Sequence, residues 1–264
     1  QYLRRGLYAC LLKCELKLCL CYEIVIDLVY NFFCNFTFKE QTMQISTKLW
    51  RKFLCAFTAL AAAFSLANAE PTQGVDYEVL QNPIPNAQNT VIEVYSYACP
   101  FCYKYTKITP TLIKALPKSV AFKPYHLEQK GDYGKIASQV LAVAMAKDAK
   151  AKISSLDSNS AFHKAESAYF EEYHAKKNRW GNGKDPEGFL QTGLNATGIS
   201  KADYEAALND KAVQDTLKEW EVSYEVAKVQ GVPAFVVNGK YLIKTQAITS
   251  MQDLEAKIKF LLKK

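Results

Sequence analysis

The chain has 264 residues, a formal net charge of +7 and eight cysteines, a size that fits one or two domains. Residues 1–42 hold five of those cysteines, whereas residues 70–264 hold two, with 25 Lys and Arg against 22 Asp and Glu. So weak a positive charge does not indicate a nucleic-acid partner. A segment of this length can also bury a core without disulfide cross-links.

Residues 43–69 have the pattern of a secretory signal peptide. A basic start precedes an uncharged, mostly apolar run from Phe53 to Leu66, and the small-x-small sequence Ala67-Asn68-Ala69 follows. The apolar run is shorter than the roughly 20 residues that a transmembrane helix needs. We therefore predict cleavage after Ala69 and export of residues 70–264.

Residues 1–42 contain no methionine, and we interpret them as upstream sequence translated in frame. The codons of Lys39-Glu40 can spell a purine-rich ribosome-binding sequence shortly before Met43. The alternative is a membrane-anchored extension. Against it, charged residues interrupt the apolar stretch from Leu16 to Phe33, and charges are costly in a membrane core.

The first part of the exported segment is predicted to contain strands with one helix between them. The helix begins at Pro100, which suits a first helical position, and extends to about Leu116 with an irregularity at Pro110. β-Branched and aromatic composition predicts strands at 77–80, 90–97 and 120–126.

Residues 130–228 are rich in Ala, Lys and Glu and predict a block of helices. Cap and turn signals within this block place helices at 161–180, from Pro186, from Ser200 and at 212–229. The chain then returns to strand character in a hairpin with an Asn238-Gly239 turn, and a helix at about 250–262 ends it.

Cys99 and Cys102 form a Cys-x-x-Cys pair where a buried strand passes into a helix. A thiolate is the species that attacks a disulfide, and free amides at a helix start favour an anion. We expect Cys99 to be the exposed, acidified thiol and Cys102 to be shielded one turn further on. Pro100 withholds one N–H group, so the amides of Phe101 and Cys102 would point at the Cys99 sulfur.

Two other interpretations of this pair stay open. A structural zinc site requires about four ligands, and His126, His163 and His174 are not spaced as ligands beside one Cys pair. An inert disulfide would close a very small loop, which removes little entropy from the unfolded chain.

Gly231-Val232-Pro233 precedes the first strand of the C-terminal hairpin. Gly-x-Pro is ordinary turn chemistry, and most X-Pro bonds are trans. A cis bond between Val232 and Pro233 would instead present the Val232 main chain for strand-like pairing with an extended substrate.

The runs Ser96-Tyr-Ala-Cys-Pro-Phe-Cys-Tyr103 and Gly231-Val-Pro-Ala-Phe-Val-Val-Asn-Gly-Lys-Tyr241 resemble those of the DsbA family of periplasmic thiol:disulfide oxidoreductases. Phe122-Lys-Pro-Tyr-His-Leu-Glu128 is most similar to the DsbL branch. The resemblance covers residues 70–264 and none of residues 1–42.

The resemblance implies an α/β protein with a thioredoxin fold and an inserted helical domain. The thioredoxin-like domain would comprise residues 70–129 and 229–264, and the inserted helical domain residues 130–228. It also implies a cis Val232-Pro233 bond opposite the dithiol.

The family pattern further implies roles for individual residues. Cys99 would be the attacking thiol and Cys102 the resolving one. Glu93 matches a buried acid that assists proton transfer, and its apolar neighbours Ile92 and Val94 disfavour the alternative of an edge position with the carboxylate in water.

This sequence departs from better-known family members at two places. They carry His where Phe101 stands, so the amides must stabilise the thiolate without a nearby imidazolium. A lysine common near the dithiol aligns with Pro124, while Lys123 lies one residue out of phase and would point to the other face of its strand.

The predicted function is a dithiol oxidase of the periplasm that introduces disulfides into exported proteins through Cys99 and Cys102. The redox-active disulfide itself serves in place of a cofactor, and no metal is expected. The family implies unfolded exported proteins with reduced cysteines as clients and a membrane quinone-linked reoxidase of the DsbB/DsbI type; arylsulfate sulfotransferase is a client associated with the DsbL branch. Two alternative functions stay open. One is a disulfide isomerase or reductase, and the other is a binding module with an apolar groove near Phe101 and Tyr97.

Overall fold

A computed structural model describes residues 70–264. The predictions for the signal peptide at 43–69 and for residues 1–42 lie outside this range. The described residues form a five-stranded sheet with the strand order β1-β5-β4-β2-β3. Its strands are β1 (Tyr77–Val79), β2 (Thr90–Tyr95), β3 (Ala121–His126), β4 (Ala234–Val237) and β5 (Tyr241–Ile243).

Helices follow the strands in the predicted order, with a helical block between β3 and β4. The helical block also contains a π-helical segment (Glu171–Ala175), and a 3₁₀ turn (Thr245–Ala247) follows β5. The α-helices are α1 (Pro100–Tyr105), α2 (Thr109–Ala115), α3 (Gly134–Lys150), α4 (Ala161–Phe170), α5 (Trp180–Gly183), α6 (Pro186–Thr197), α7 (Lys201–Ala207), α8 (Lys211–Trp220), α9 (Ser223–Gln230) and α10 (Met251–Leu261). None of the helices within residues 70–264 has the length and apolar character of a membrane span.

Strand β2 lies inside the sheet, parallel to β3 and antiparallel to β4. The predicted hairpin joins β4 to β5 through Asn238 and Gly239, whose φ angles are 54° and 65°. Two successive positive φ angles are what a type I′ turn requires, so the Asn-Gly prediction is confirmed.

The sheet separates two apolar clusters because alternate side chains of β2 point to opposite faces. Ile92 and Val94 contribute to the cluster that includes the helices α3, α4 and α6. Val91 contributes to the other cluster, with Leu112 of α2 and Leu254 of α10. The fold is therefore an α/β thioredoxin fold, as predicted, with the helical block on one face of the sheet. The division into domains at 129/130 and 228/229 stays a prediction.

Three predicted helices are shorter in the structure. The helix that starts at Pro100 ends at Tyr105, and α2 begins at Thr109, since Pro110 lacks the N–H that an uninterrupted helix would require. The helix expected at 161–180 ends in the π-helical segment, and the one expected at 212–229 is interrupted after Trp220.

Candidate active site

The dithiol follows directly from the end of strand β2. The chain leaves β2 at Tyr95 and makes a turn in which the Cys99 N–H donates to the Ser96 carbonyl at 3.0 Å. Helix α1 then begins at Pro100 with Cys99 as its N-cap residue, as the sequence predicted. A buried strand thus fixes one end of the turn, and the helix fixes the other.

The two cysteines are in the reduced form in this structure, with no disulfide between them. The Cys102 backbone N–H points at the Cys99 Sγ atom at 3.4 Å. The Cys99 Sγ atom also lies 3.1 Å from the Val232 carbonyl oxygen, to which it can donate a hydrogen bond only when it is protonated. Both residues are 2% exposed, so the expectation that Cys99 is open to solvent was wrong, because the loop at Val232 covers its sulfur.

The two thiols differ in acidity, although they are equally buried. The pKa of Cys99 is lowered to about 6, first by the Cys102 thiol as a hydrogen-bond donor and then by the amides of Cys102 and Phe101, against the opposing effect of burial. Burial raises the pKa of Cys102 well above its ordinary value. At neutral pH Cys99 is therefore mainly a thiolate and Cys102 a thiol.

Helix α1, which starts at the dithiol, has six residues. The charge-stabilising groups at a helix start are the unpaired amides of its first turn, and those of Phe101 and Cys102 are among the groups that lower the Cys99 pKa. These amides contribute as predicted, but the largest lowering comes from the Cys102 thiol, which was not predicted.

Phe101 presents apolar surface beside the dithiol. Its side chain is 59% exposed, and the Lys104 ammonium lies 5.2 Å from the ring centroid. A large exposed aromatic next to a reactive sulfur offers a contact for apolar groups of a binding partner.

The loop before β4 completes the site from the other end of the chain. The Val232-Pro233 peptide bond is cis, as predicted, and Gly231 has a φ of 82° that favours glycine. Cys99 and Val232 are 133 residues apart in the sequence, yet the sulfur of Cys99 contacts the main-chain oxygen of Val232.

Glu93 lies on β2 with 7% of its surface exposed. The Thr109 hydroxyl donates to its carboxyl group at 3.3 Å. Burial and the charge of Glu166 raise the pKa of Glu93 to about 8, although the Thr109 hydrogen bond opposes the shift. The interpretation of Glu93 as an edge residue with its carboxylate in water is therefore wrong.

Lys123 and Pro124 lie next to each other on β3, so their side chains point to opposite faces of the sheet, as predicted. The Lys123 ammonium forms an ion pair with Glu219 at 2.8 Å. Pro124 pairs in register with Glu93, and its missing N–H is tolerated because β3 is an edge strand. Neither residue supplies a positive charge to the cysteines.

Sequence reasoning missed two charged residues of the site. Lys130, in the loop after β3, lowers the Cys99 pKa by its charge, and the Ser96 hydroxyl donates to its carbonyl at 3.1 Å. Glu166, on α4, raises the Glu93 pKa. Neither residue has a sequence signal, since both approach the site only through the folding of the helical block and its connection to β3.

Replacing Lys130 by glutamine should raise the thiolate titration midpoint of Cys99 by about 0.2 to 0.5 pH units, because one screened positive charge is lost. Thiolate absorbance as a function of pH measures the shift. Lys123→Gln is the matched control, since Lys123 is paired with Glu219. An equal shift in both variants would contradict the assignment.

Within residues 70–264, no group of three or more His, Cys, Asp and Glu side chains could hold a metal ion. The two cysteines thus lack the further protein ligands that a structural zinc site requires. What the geometry supports is a chemically asymmetric dithiol facing a cis-proline loop. The thioredoxin fold and this site together define the class of dithiol–disulfide oxidoreductases.

Comparison with known proteins gives the family. The family model described as a DSBA-like thioredoxin domain matches residues 90–259. The thiol:disulfide interchange protein DsbL of Escherichia coli O6:H1 is 54% identical over 204 residues, which cover 77% of this chain and 91% of that protein. The chain therefore belongs to the DsbA-like family.

Solved structures agree with this assignment. The crystal structure of DsbL from Salmonella enterica serovar Typhimurium has a TM-score of 0.71 and 54% identity, covering 74% of this chain and 99% of that chain. A crystal structure of reduced DsbL has a TM-score of 0.70 and 56% identity, covering 74% of this chain and 100% of that chain. The predicted resemblance to the DsbL branch is confirmed: the protein is a disulfide oxidoreductase that uses a redox-active cysteine pair.

Proposed function

We propose that the protein is a periplasmic dithiol oxidase that transfers a Cys99–Cys102 disulfide to exported proteins. The observation that carries this proposal is the opposite shift of the two thiol pKa values, with Cys99 at about 6 and Cys102 well above its ordinary value. A low-pKa thiol is a good leaving group, and a stabilised thiolate favours the reduced enzyme. Both properties favour oxidation of the client over its reduction.

The proposed transfer proceeds in two exchanges. A client thiolate attacks Cys99 of the enzyme disulfide, a client–Cys99 bond forms, and Cys102 leaves and takes up a proton. A second client thiolate then attacks the client sulfur of this mixed disulfide and releases Cys99 as a thiolate. The client is oxidised by two electrons, and the Cys99–Cys102 pair is reduced by two.

Glu93 is proposed to supply the proton that Cys102 takes up. Its pKa of about 8 keeps the carboxyl group protonated at neutral pH, and once it is ionised its negative charge raises the pKa of Cys102. A buried acid that is protonated at the working pH is suited to proton donation. Pro100 and Phe101 support the reaction by setting the helix start and the apolar surface beside Cys99.

Val232 and Pro233 are proposed to align the client. Pro233 precedes β4, and the Val232 carbonyl lies 3.1 Å from the Cys99 sulfur. An extended client segment that pairs with the Val232 main chain would therefore bring its own cysteine next to Cys99. Main-chain pairing of this kind recognises many sequences, which suits an oxidase of unfolded proteins.

The proposed setting is the periplasm, reached through the signal peptide at 43–69. Clients are unfolded exported proteins with reduced cysteines, including arylsulfate sulfotransferase. A membrane quinone-linked protein of the DsbB/DsbI type is proposed to reoxidise the reduced enzyme. Similarity to DsbL proteins supports these assignments.

Mixing the oxidised protein with a reduced, unfolded thiol protein should form one client disulfide per enzyme molecule, counted by free-thiol titration. Equilibration with glutathione should show that the enzyme is more oxidising than glutathione. An enzyme more reducing than glutathione would instead indicate the reductase alternative, and no thiol exchange would contradict the proposal.

A further inference from the structure

The turn that carries Cys99 has a central peptide whose two ends are both hydrogen-bonded. The turn spans Ser96 to Cys99, so its central peptide joins Tyr97 to Ala98. The two commonest turn types differ in the orientation of this central peptide. Here the Ala98 N–H donates to the Ser96 hydroxyl oxygen at 3.3 Å, and the Tyr97 carbonyl lies 2.8 Å from the His174 Nε2 atom. One peptide orientation is thereby selected.

His174 comes from the helical block, 77 residues further along the chain than Tyr97. It lies in the π-helical segment (Glu171–Ala175), and π-helical turns are frequent at functional sites. Its ring stacks on Tyr103 with a centroid distance of 5.0 Å and an interplanar angle of 9°. Since Tyr103 follows Cys102, His174 contacts the chain both before and after the dithiol.

The hydrogen bond to Tyr97 fixes the protonation of the His174 ring. A carbonyl oxygen can only accept, so Nε2 carries the proton and donates it. Burial, followed by the charges of Arg179 and Lys177, lowers the pKa of His174 below its ordinary value, although the Tyr97 carbonyl opposes the shift. At neutral pH His174 is therefore a neutral donor.

A second histidine holds the same residue from the sheet. The Tyr97 N–H donates to the His126 Nε2 atom at 3.4 Å, and the other ring nitrogen of His126 lies 2.8 Å from the Ser138 hydroxyl oxygen. Burial lowers the pKa of His126 to about 3. The N–H and the carbonyl of Tyr97 are thus held by two neutral rings, one on β3 and one in the helical block.

We propose that His174 is a positioning residue that holds the Ser96–Cys99 turn in the orientation needed for an acidic Cys99. This inference rests on the proposed function, in which Cys99 is the attacking thiol. Rotation of the Tyr97–Ala98 peptide would change the backbone angles that lead into Cys99. Its sulfur would then meet the Cys102 N–H, now at 3.4 Å, in a poorer geometry.

Two substitutions separate the hydrogen bond from ring packing. His174→Phe keeps a ring against Tyr103 but removes the donor, whereas His174→Gln keeps an N–H donor at a similar reach and removes the ring. Loss of one hydrogen bond changes an equilibrium constant or a rate constant by a factor of about three to ten. We expect His174→Phe to raise the pH midpoint of Cys99 thiolate formation by about 0.5 to 1 pH unit and to slow client oxidation about threefold to tenfold. His174→Gln should have a midpoint and an oxidation rate close to those of the wild-type protein.

Urea unfolding of both redox forms provides the control for packing. If the two variants lose stability and activity alike while the Cys99 midpoint does not move, His174 has a packing role only and the inference is overturned. An unchanged midpoint and rate in His174→Phe would overturn it as well. Failure of the wild-type protein to oxidise clients would count against the proposed function, whatever the variants show.

A measurement on the wild-type protein stays informative if His174→Phe does not fold. Nitrogen-15 spectra of the His174 ring should show the Nε2–H tautomer in the reduced protein, at neutral pH. The Nδ1–H tautomer, or a freely exchanging ring, would overturn the inference because the Tyr97 carbonyl would then lack its donor.

Discussion

Cys99→Ser should reduce client oxidation by a factor of about 1,000 or more, because a neutral hydroxyl replaces the sulfur that exchanges with the client. Cys102 cannot take over its role, since burial raises its thiol pKa well above the ordinary value and leaves little thiolate at neutral pH. The measurement is the rate of thiol loss from a reduced, unfolded client. A binding module, the non-enzyme alternative, would keep its client affinity and show no dependence on Cys99.

Cys102→Ser is the matched variant, because it removes the other sulfur and leaves the attacking thiol. Mixed with a client that carries an activated disulfide, it should accumulate a Cys99–client mixed disulfide that non-reducing electrophoresis and mass spectrometry detect. Cys99→Ser should form no such species. Adduct formation through Cys102, or equal adduct formation in both variants, would contradict the assignment of the attacking and resolving thiols.

Glu93→Gln should stabilise the protein at neutral and alkaline pH and have little effect near pH 4. The pKa of Glu93 is about 8 in the folded protein against an ordinary value of 4.5. Between these values the folded state holds a proton that the unfolded state has lost, so the stability falls as the pH rises. We expect a gain on the order of 4 kcal/mol at pH 7.5 from urea unfolding, since this pH lies about three units above the ordinary pKa and each unit corresponds to about 1.4 kcal/mol.

Glu128→Gln is the control for this substitution, because Glu128 is an exposed carboxylate near the end of β3. Its replacement should leave the pH dependence of unfolding unchanged. Should Glu93→Gln shift stability by the same amount at pH 4 and pH 7.5, the burial of a protonated Glu93 would be the wrong explanation.

Local sequence signals were sufficient where a feature depends on neighbouring residues. The Cys-x-x-Cys pair at a helix start, the Asn238-Gly239 turn and the helix starts near Pro186 and Ser200 all correspond to the structure. Each involves contacts within about four residues, so residue type and spacing determine it. The cis bond before Pro233 was predicted as well, but on family resemblance and not on local pattern.

The interruption of the first helix shows the limit of such signals. Pro110 indicated an irregularity, and the regular helix stops at Tyr105 and resumes only at Thr109. The amides that lower the Cys99 pKa lie in the first turn of α1, before this interruption. The sequence pattern shows where a helix is broken. Where the next helix begins depends on how α2 packs against the sheet.

The sequence by itself determined the redox pair, its place after a buried strand and the order of strands and helices around it. Only the tertiary structure decided which distant groups surround the sulfur of Cys99. The Val232 carbonyl covers it, the Lys130 charge lowers its pKa, and His174 holds the turn before it. The physical reason is that pKa values and exposure depend on distances through space, and the helical block brings together residues that no local spacing relates.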